Sequence, residues 1–184
     1  MRVLGGILLG VLVVALGAAA FVASGSFDVA ASRPAGKLEE RIATFALNRS
    51  VSRRAPSRKN PLAPSPEVLR GGLVHFRENC VDCHGAPGVD ASEFGQGLNP
   101  PAPDLTLPRV QGRPDGELYW IVSNGIRMTG MPAFSPTHKE DEIWKIVAFL
   151  RHLPELKPEE EKALKAAGEA DAEHHREAKE GGKK

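Results

Sequence analysis

Cysteine is nearly absent: Cys80 and Cys83 are the only two in 184 residues. A disulfide framework and a four-cysteine zinc site are excluded at once. A bridge between residues three apart would close too small a loop to constrain the unfolded chain. Aromatic residues are scarce too, at 5%. That is a thin supply for a self-sufficient core, and a domain of about 90 residues buries too little surface to be very stable unaided. Net charge is only +1, so no overall field points to nucleic acid. No stretch alternates as a half-buried strand would, which leaves an all-α domain.

What is present begins with the two cysteines. They stand in Cys80-Val81-Asp82-Cys83-His84, the C-x-x-C-H spacing of covalent haem attachment. Each thiol can add to one vinyl group of a haem, and the His that follows directly can reach the iron. The rival readings are poorer. A redox C-x-x-C belongs beside a βαβ pattern, which is lacking here. A zinc site would need two histidines to complete it, and His84 is badly placed to join the same tetrahedron. A buried haem would also supply the apolar bulk that the aromatics do not.

One long apolar run exists. Val3 to Ala23 is almost unbroken, preceded by the single charge of Arg2. As a helix it spans roughly 30 Å, the thickness of a bilayer core. Its length favours an uncleaved anchor over a signal peptide, whose apolar core is about 7–15 residues. Small residues near Ala18 to Ser24 keep a cleavage site open. Gly6 and Gly10 form a GxxxG pair, more simply read as common helix glycines than as a dimer seam.

The reading along the chain is an anchor or signal over 1–25, a connector over 26–64, a haem domain over 65–156 and a charged flexible tail over 157–184. In the connector, Leu38, Ile42 and Phe45 form one apolar stripe, predicting a helix from about Gly36 to Arg53. It would rest either on its own domain or on a membrane surface. Ser65-Pro66-Glu67 opens a second helix, running to Asn79, with Gly71 and Gly72 marking a close helix crossing. Gly85 to Pro114, dense in proline and glycine, is expected to be an ordered loop. Asp115 caps the next helix, which ends at Asn124-Gly125. Thr137 and Glu140 fit a capping box for a last helix that closes before Pro154. The tail offers Glu161–Lys165 pairing but no stripe to dock. His174 and His175 read as a solvated pair.

A six-coordinate iron needs a partner for His84. Met131, between Gly130 and Pro132, is held extended with its side chain displayed. Met128, soon after the helix end, is expected to pack. Thioether ligation raises the reduction potential relative to two imidazoles. His75, His138 and His152 are outside options.

These residues resemble a class I monohaem cytochrome c of the bacterial, membrane-anchored kind. The likeness rests on Gly71 or Gly72 with Phe76, the Cys80–His84 motif with Gly85, Pro103-Asp104-Leu105, Asn124-Gly125-Ile126, Met131-Pro132-Ala133-Phe134 and Trp144. It covers about half the chain. It implies a helical domain around one haem c, with the glycines meeting the Trp144 face. It implies a haem pocket that includes Leu105, and a proline carbonyl on the ligating His, best matched by Pro103 and next by Pro101. It implies electron transfer without catalysis, redox protein partners, and a bacterial inner membrane with the haem domain facing the periplasm or the cell exterior. A subunit of a larger dehydrogenase or oxidase, or an open-site haem enzyme, are the alternatives. Oligomeric state is not indicated.

Overall fold

The computed structural model describes residues 2–166 in two compact units, Met1–Arg33 and Pro34 onward. It is all-α: apart from one isolated bridge, Ala86 to Val89, the described residues hold no β-pairing. The first unit is helix α1, Arg2–Ala23, with no buried residue. Its length and mean hydropathy of 2.6 suffice to cross a membrane, a test that a signal sequence also passes.

The second unit contains α2 (Lys37–Arg54), α3 (Pro66–Asn79), the short turns α4 (Val81–His84), α5 (Glu93–Gln96) and α6 (Pro108–Gln111), then α7 (Asp115–Asn124), α8 (Glu140–His152) and a 3-10 turn over Leu153–Glu155. The Ser65 hydroxyl accepts the Val68 N–H at 3.2 Å, and Pro66 takes the first helical position, where a missing N–H costs nothing. The proline-rich stretch, expected to be a loop throughout, folds two short helical turns within itself.

The core is the crossing of α3 and α8. Phe76, Ile143, Ile146, Phe149 and Leu153 are buried there with Cys80 and Val81. Gly72 makes the crossing possible: a Cβ on it would lie 2.3 Å from the Lys145 carbonyl oxygen and 2.6 Å from Phe149 Cβ. The glycine pair therefore meets Lys145 and Phe149. Trp144 turns to a second cluster with Val110, Leu118 and Val147, Tyr119 stacked on it at 4.3 Å.

Two helix starts differ from expectation. α8 begins at Glu140, and the Glu142 carboxylate accepts the Lys139 N–H at 2.6 Å. Thr137 is instead engaged with the Phe134 carbonyl, so the Thr137–Glu140 box does not form. Asp115 does not cap α7 either; Pro114 holds that position. The Asp115 carboxylate has other partners: the Asn60 N–H at 2.9 Å and Arg151 at 2.7 Å. Arg151 also donates to the carbonyls of Gln111 and Arg113, and so ties α8 to the start of α7.

The connector is docked over much of its length. Val51 is fully buried; Ser52 donates to Glu117, and Arg113 to Asn48. The Arg58 guanidinium lies 5.2 Å from the Trp144 ring centre, and the Asn60 amide donates to the Trp144 carbonyl at 2.8 Å. Burial works to raise the Asp115 pKa. The Asn60 N–H, Arg151 and the Lys59 charge outweigh it and hold the carboxyl below its ordinary value. A depressed folded-state pKa stabilises above the unfolded pKa, and that stabilisation is lost as pH falls through the folded one. The urea midpoint is therefore expected to fall below about pH 4. Asp115→Asn should lower the midpoint near neutrality and flatten its acid dependence.

The tail also departs from expectation at its start. Residues 158–166 are helical. Leu164 is fully buried in the α3–α8 cluster, and His152 Nε2 donates to Glu160 at 2.8 Å. The folded unit thus extends past Leu156, held by one apolar side chain in a charged run. Leu164→Ala should cost about 2–5 kcal/mol in urea unfolding, as for other fully buried leucines. Residues 167–184, with His174 and His175, lie outside the described residues.

Candidate haem site

α3 delivers the cysteine motif. Its last residue is Asn79; Cys80 is the hinge, and Val81–His84 form one further turn. Cys80 is buried and Cys83 half-buried. The turn is clamped from the far side by α5. The Ser92 N–H donates to the Asp82 carbonyl at 2.8 Å. A Cβ on Gly95 would stand 2.3 Å from that same oxygen and 2.9 Å from Cys83 Cα, so the backbones touch where only glycine fits.

Burial pushes the Cys80 thiol up to about 12, with the charge of Cys83 next in effect. Cys83 is also raised, by burial and then by Asp82. Dithiol redox sites lower a thiol pKa to make a thiolate; this environment does the reverse. Among the described residues no group of three or more His, Cys, Asp or Glu could hold a metal ion.

His84 Nδ1–H donates to the Pro103 carbonyl at 2.8 Å. The carbonyl can only accept, so the bond fixes the tautomer and leaves Nε2 with its lone pair. Burial lowers the His84 pKa, and the Pro103 bond partly opposes it. The ring is thus a neutral donor, the form that ligates metal.

Met131 sits in the loop after α7, half-buried against the cluster that contains Cys80. Leu105 packs on that cluster too. The loop is stitched to α7 by Phe134 N–H to Val122 O and Ser135 N–H to Ser123 O, at 3.2 and 3.0 Å. Gly125 closes the helix at φ +65°, where a Cβ would lie 2.6 Å from the Pro132 backbone. Position and contact both demand glycine. Thr129 is a residue the motif reading passes over: its hydroxyl donates to the Ile126 carbonyl at 2.7 Å and accepts the Met131 N–H at 3.1 Å. A hydroxyl two residues before Met131 was the available signal, as a local side-chain turn. Met128, expected to pack, is 92% exposed with φ +61°.

The outside histidines are otherwise engaged. His75 and His138 rings meet at 5.1 Å, and His152 is bonded to Glu160. The donor set of two thiols, one tautomer-fixed imidazole and a half-buried thioether suits haem c. Cys80 and Cys83 would hold it covalently, with His84 and Met131 the candidate axial donors and Leu105 part of the apolar lining.

No curated protein matches the chain. Residues 67–150, a little under half of it, match the family model described as cytochrome C oxidase, cbb3-type, subunit III. That stretch contains the cysteine motif, Pro103, Leu105 and Met131. The match supports a c-type cytochrome, a domain that implies covalently bound haem c and haem-based electron transfer.

Proposed function

We propose that this chain is a membrane-anchored, one-haem electron-transfer protein, its iron held between His84 and Met131. The observation that carries the reading is the 2.8 Å bond from His84 Nδ1–H to the Pro103 carbonyl, made directly beside two cysteines at haem-attachment spacing. When bound, the haem supplies a one-electron iron couple.

The remaining work belongs to the chain. The Pro103 carbonyl holds the His84 ring in one orientation and raises its basicity as a donor. Met131 contributes a soft thioether that favours the reduced state. With His84 and Met131 both donating, a bound iron would have no position left for substrate, which supports carriage rather than catalysis. The span of α1 confines the domain to the outer face of a bacterial inner membrane and to redox partners there. Helix length and composition support the anchor.

A second reading is a haem subunit of a larger membrane oxidase. The matching family, described as an oxidase subunit III, favours it. Purification in mild detergent separates the two: other subunits co-purify with a component of a complex and not with a free carrier.

The test of the central claim is intact mass with a haem-stained gel of the membrane fraction. One covalent haem and an uncleaved N-terminus are expected, and Cys80→Ala with Cys83→Ala should abolish the stain. A mass lacking haem would end the reading, while a mass shortened by about the first 24 residues would replace the anchor with a cleaved signal.

A further inference from the structure

α2 carries apolar residues on two opposite sides. At 100° per residue, Leu47 and Val51 fall together on one side. That is the docked side: Val51 is fully buried and Leu47 half-buried. Leu38, Ile42 and Phe45 fall on the other, with Arg49 in line behind them. These three are 71%, 60% and 69% exposed, though leucine, isoleucine and phenylalanine are the residue types most often buried. Their own domain does not cover them.

The nearest charges beside the stripe are basic: Arg41 borders it on one edge and Arg53 on the other, beyond Arg49, while Lys37 and Glu39 lie further round on opposite edges. Among the described residues no ion pair engages the four basic side chains. Apolar side chains bordered by basic ones suit the boundary between anionic headgroups and acyl chains. The chain also limits where this helix can go. Residues 24–36 are all that separates the end of α1 from α2, a tether of roughly 20 Å root-mean-square length.

We propose that the Leu38–Ile42–Phe45 face of α2 lies in the headgroup boundary of an anionic bilayer, a second membrane contact that orients the haem domain. The inference rests on the anchor reading of α1. Because the C-terminal half of α2 is held by the bonds of Ser52 to Glu117 and of Arg113 to Asn48, seating the stripe of its N-terminal half on lipid holds the haem domain at a defined attitude.

The test places a photocrosslinking amino acid, singly, at positions 12, 45 and 47 of the full haem-loaded chain. Each protein is reconstituted in phosphatidylcholine vesicles with and without phosphatidylglycerol. Lipid adducts are read by mass spectrometry of the peptides. Adducts are expected at 12 and 45 but not at 47, with the yield at 45 higher when phosphatidylglycerol is present. One basic side chain near an anionic surface is worth about fivefold in binding. The pair Arg41→Glu with Arg49→Glu should therefore cut the yield at 45 at least fivefold and leave position 12 unchanged. An adduct at 12 with none at 45 in either lipid overturns the proposal, keeps the anchor, and assigns the face to a protein partner. A yield at 45 that ignores both lipid charge and charge reversal also overturns it. No adduct at 12 removes the anchor reading itself.

Discussion

Gly72→Val should leave little folded haem domain. The added Cβ would need to occupy space 2.3 Å from the Lys145 carbonyl oxygen and 2.6 Å from Phe149 Cβ. Both neighbours are fixed parts of α8, so neither can swing aside. α3 and α8 would have to separate, unpacking Phe76 against Phe149, whose ring centres lie 5.4 Å apart. Overpacking at flexible sites costs about 1–3 kcal/mol; against backbone the cost should exceed that range and consume much of the roughly 5–15 kcal/mol of a typical domain. Gly71→Ala is the control. Its Cβ meets only the Lys145 side chain, 3.1 Å away at Cδ, which can move. There the gain of about 1 kcal/mol for Ala over Gly in a helix should offset the contact. Urea unfolding of both variants decides: equal losses would mean that the crossing does not depend on Gly72.

Met131→Ala should convert a closed iron into an open one. The oxidised protein is expected to lose its thioether–iron charge-transfer absorption, and the reduced protein to bind CO rapidly. The potential should fall by on the order of 0.2 V, a part of the roughly 0.8 V that axial ligands span. Met131→His should keep the iron closed at a potential below that of the native protein. Met128→Ala should alter none of these signals, since Met128 is 92% exposed on a left-handed turn. Loss of the absorption band in the Met128 variant, or its survival without Met131, would reassign the ligand. A native protein that already binds CO rapidly would favour the open-site enzyme.

Features that repeat or that need a special residue were readable in the sequence. The cysteine motif, the Ser65-Pro66 start, the close approach at Gly72 and the Gly125 stop each leave a local signature, because only a few residue types satisfy the geometry. The pairing of Pro103 with His84 came through the resemblance, since nothing local in Asn99-Pro100-Pro101-Ala102-Pro103 says which carbonyl points at a ring. What stayed hidden was contact made by single side chains. Asn60 holds the connector with one amide and one N–H, and Leu164 holds the tail with one apolar group. Neither creates a period, so a window of any length reads past them. The start of α8 slipped for a related reason: two acidic residues, Glu140 and Glu142, both lie within reach of a hydroxyl or an N–H, and spacing alone does not choose between them. Exposure of the Leu38 stripe was undecidable too, because an amphipathic pattern says that a helix has an apolar side without saying what meets it.

The docking of Asn60 on the Trp144 carbonyl and of Leu164 in the α3–α8 cluster has a practical corollary for anyone expressing the second unit without α1. α8 is clad from both flanks, upstream by residues 48–62 and downstream by 158–166. A gene trimmed to the obvious borders at 65 and 156 would strip that cladding and display apolar surface of α7 and α8 to other copies, with self-association as the outcome in gel filtration. A portable unit should begin upstream of Asn48 and include Leu164, with a purification tag placed clear of that side chain.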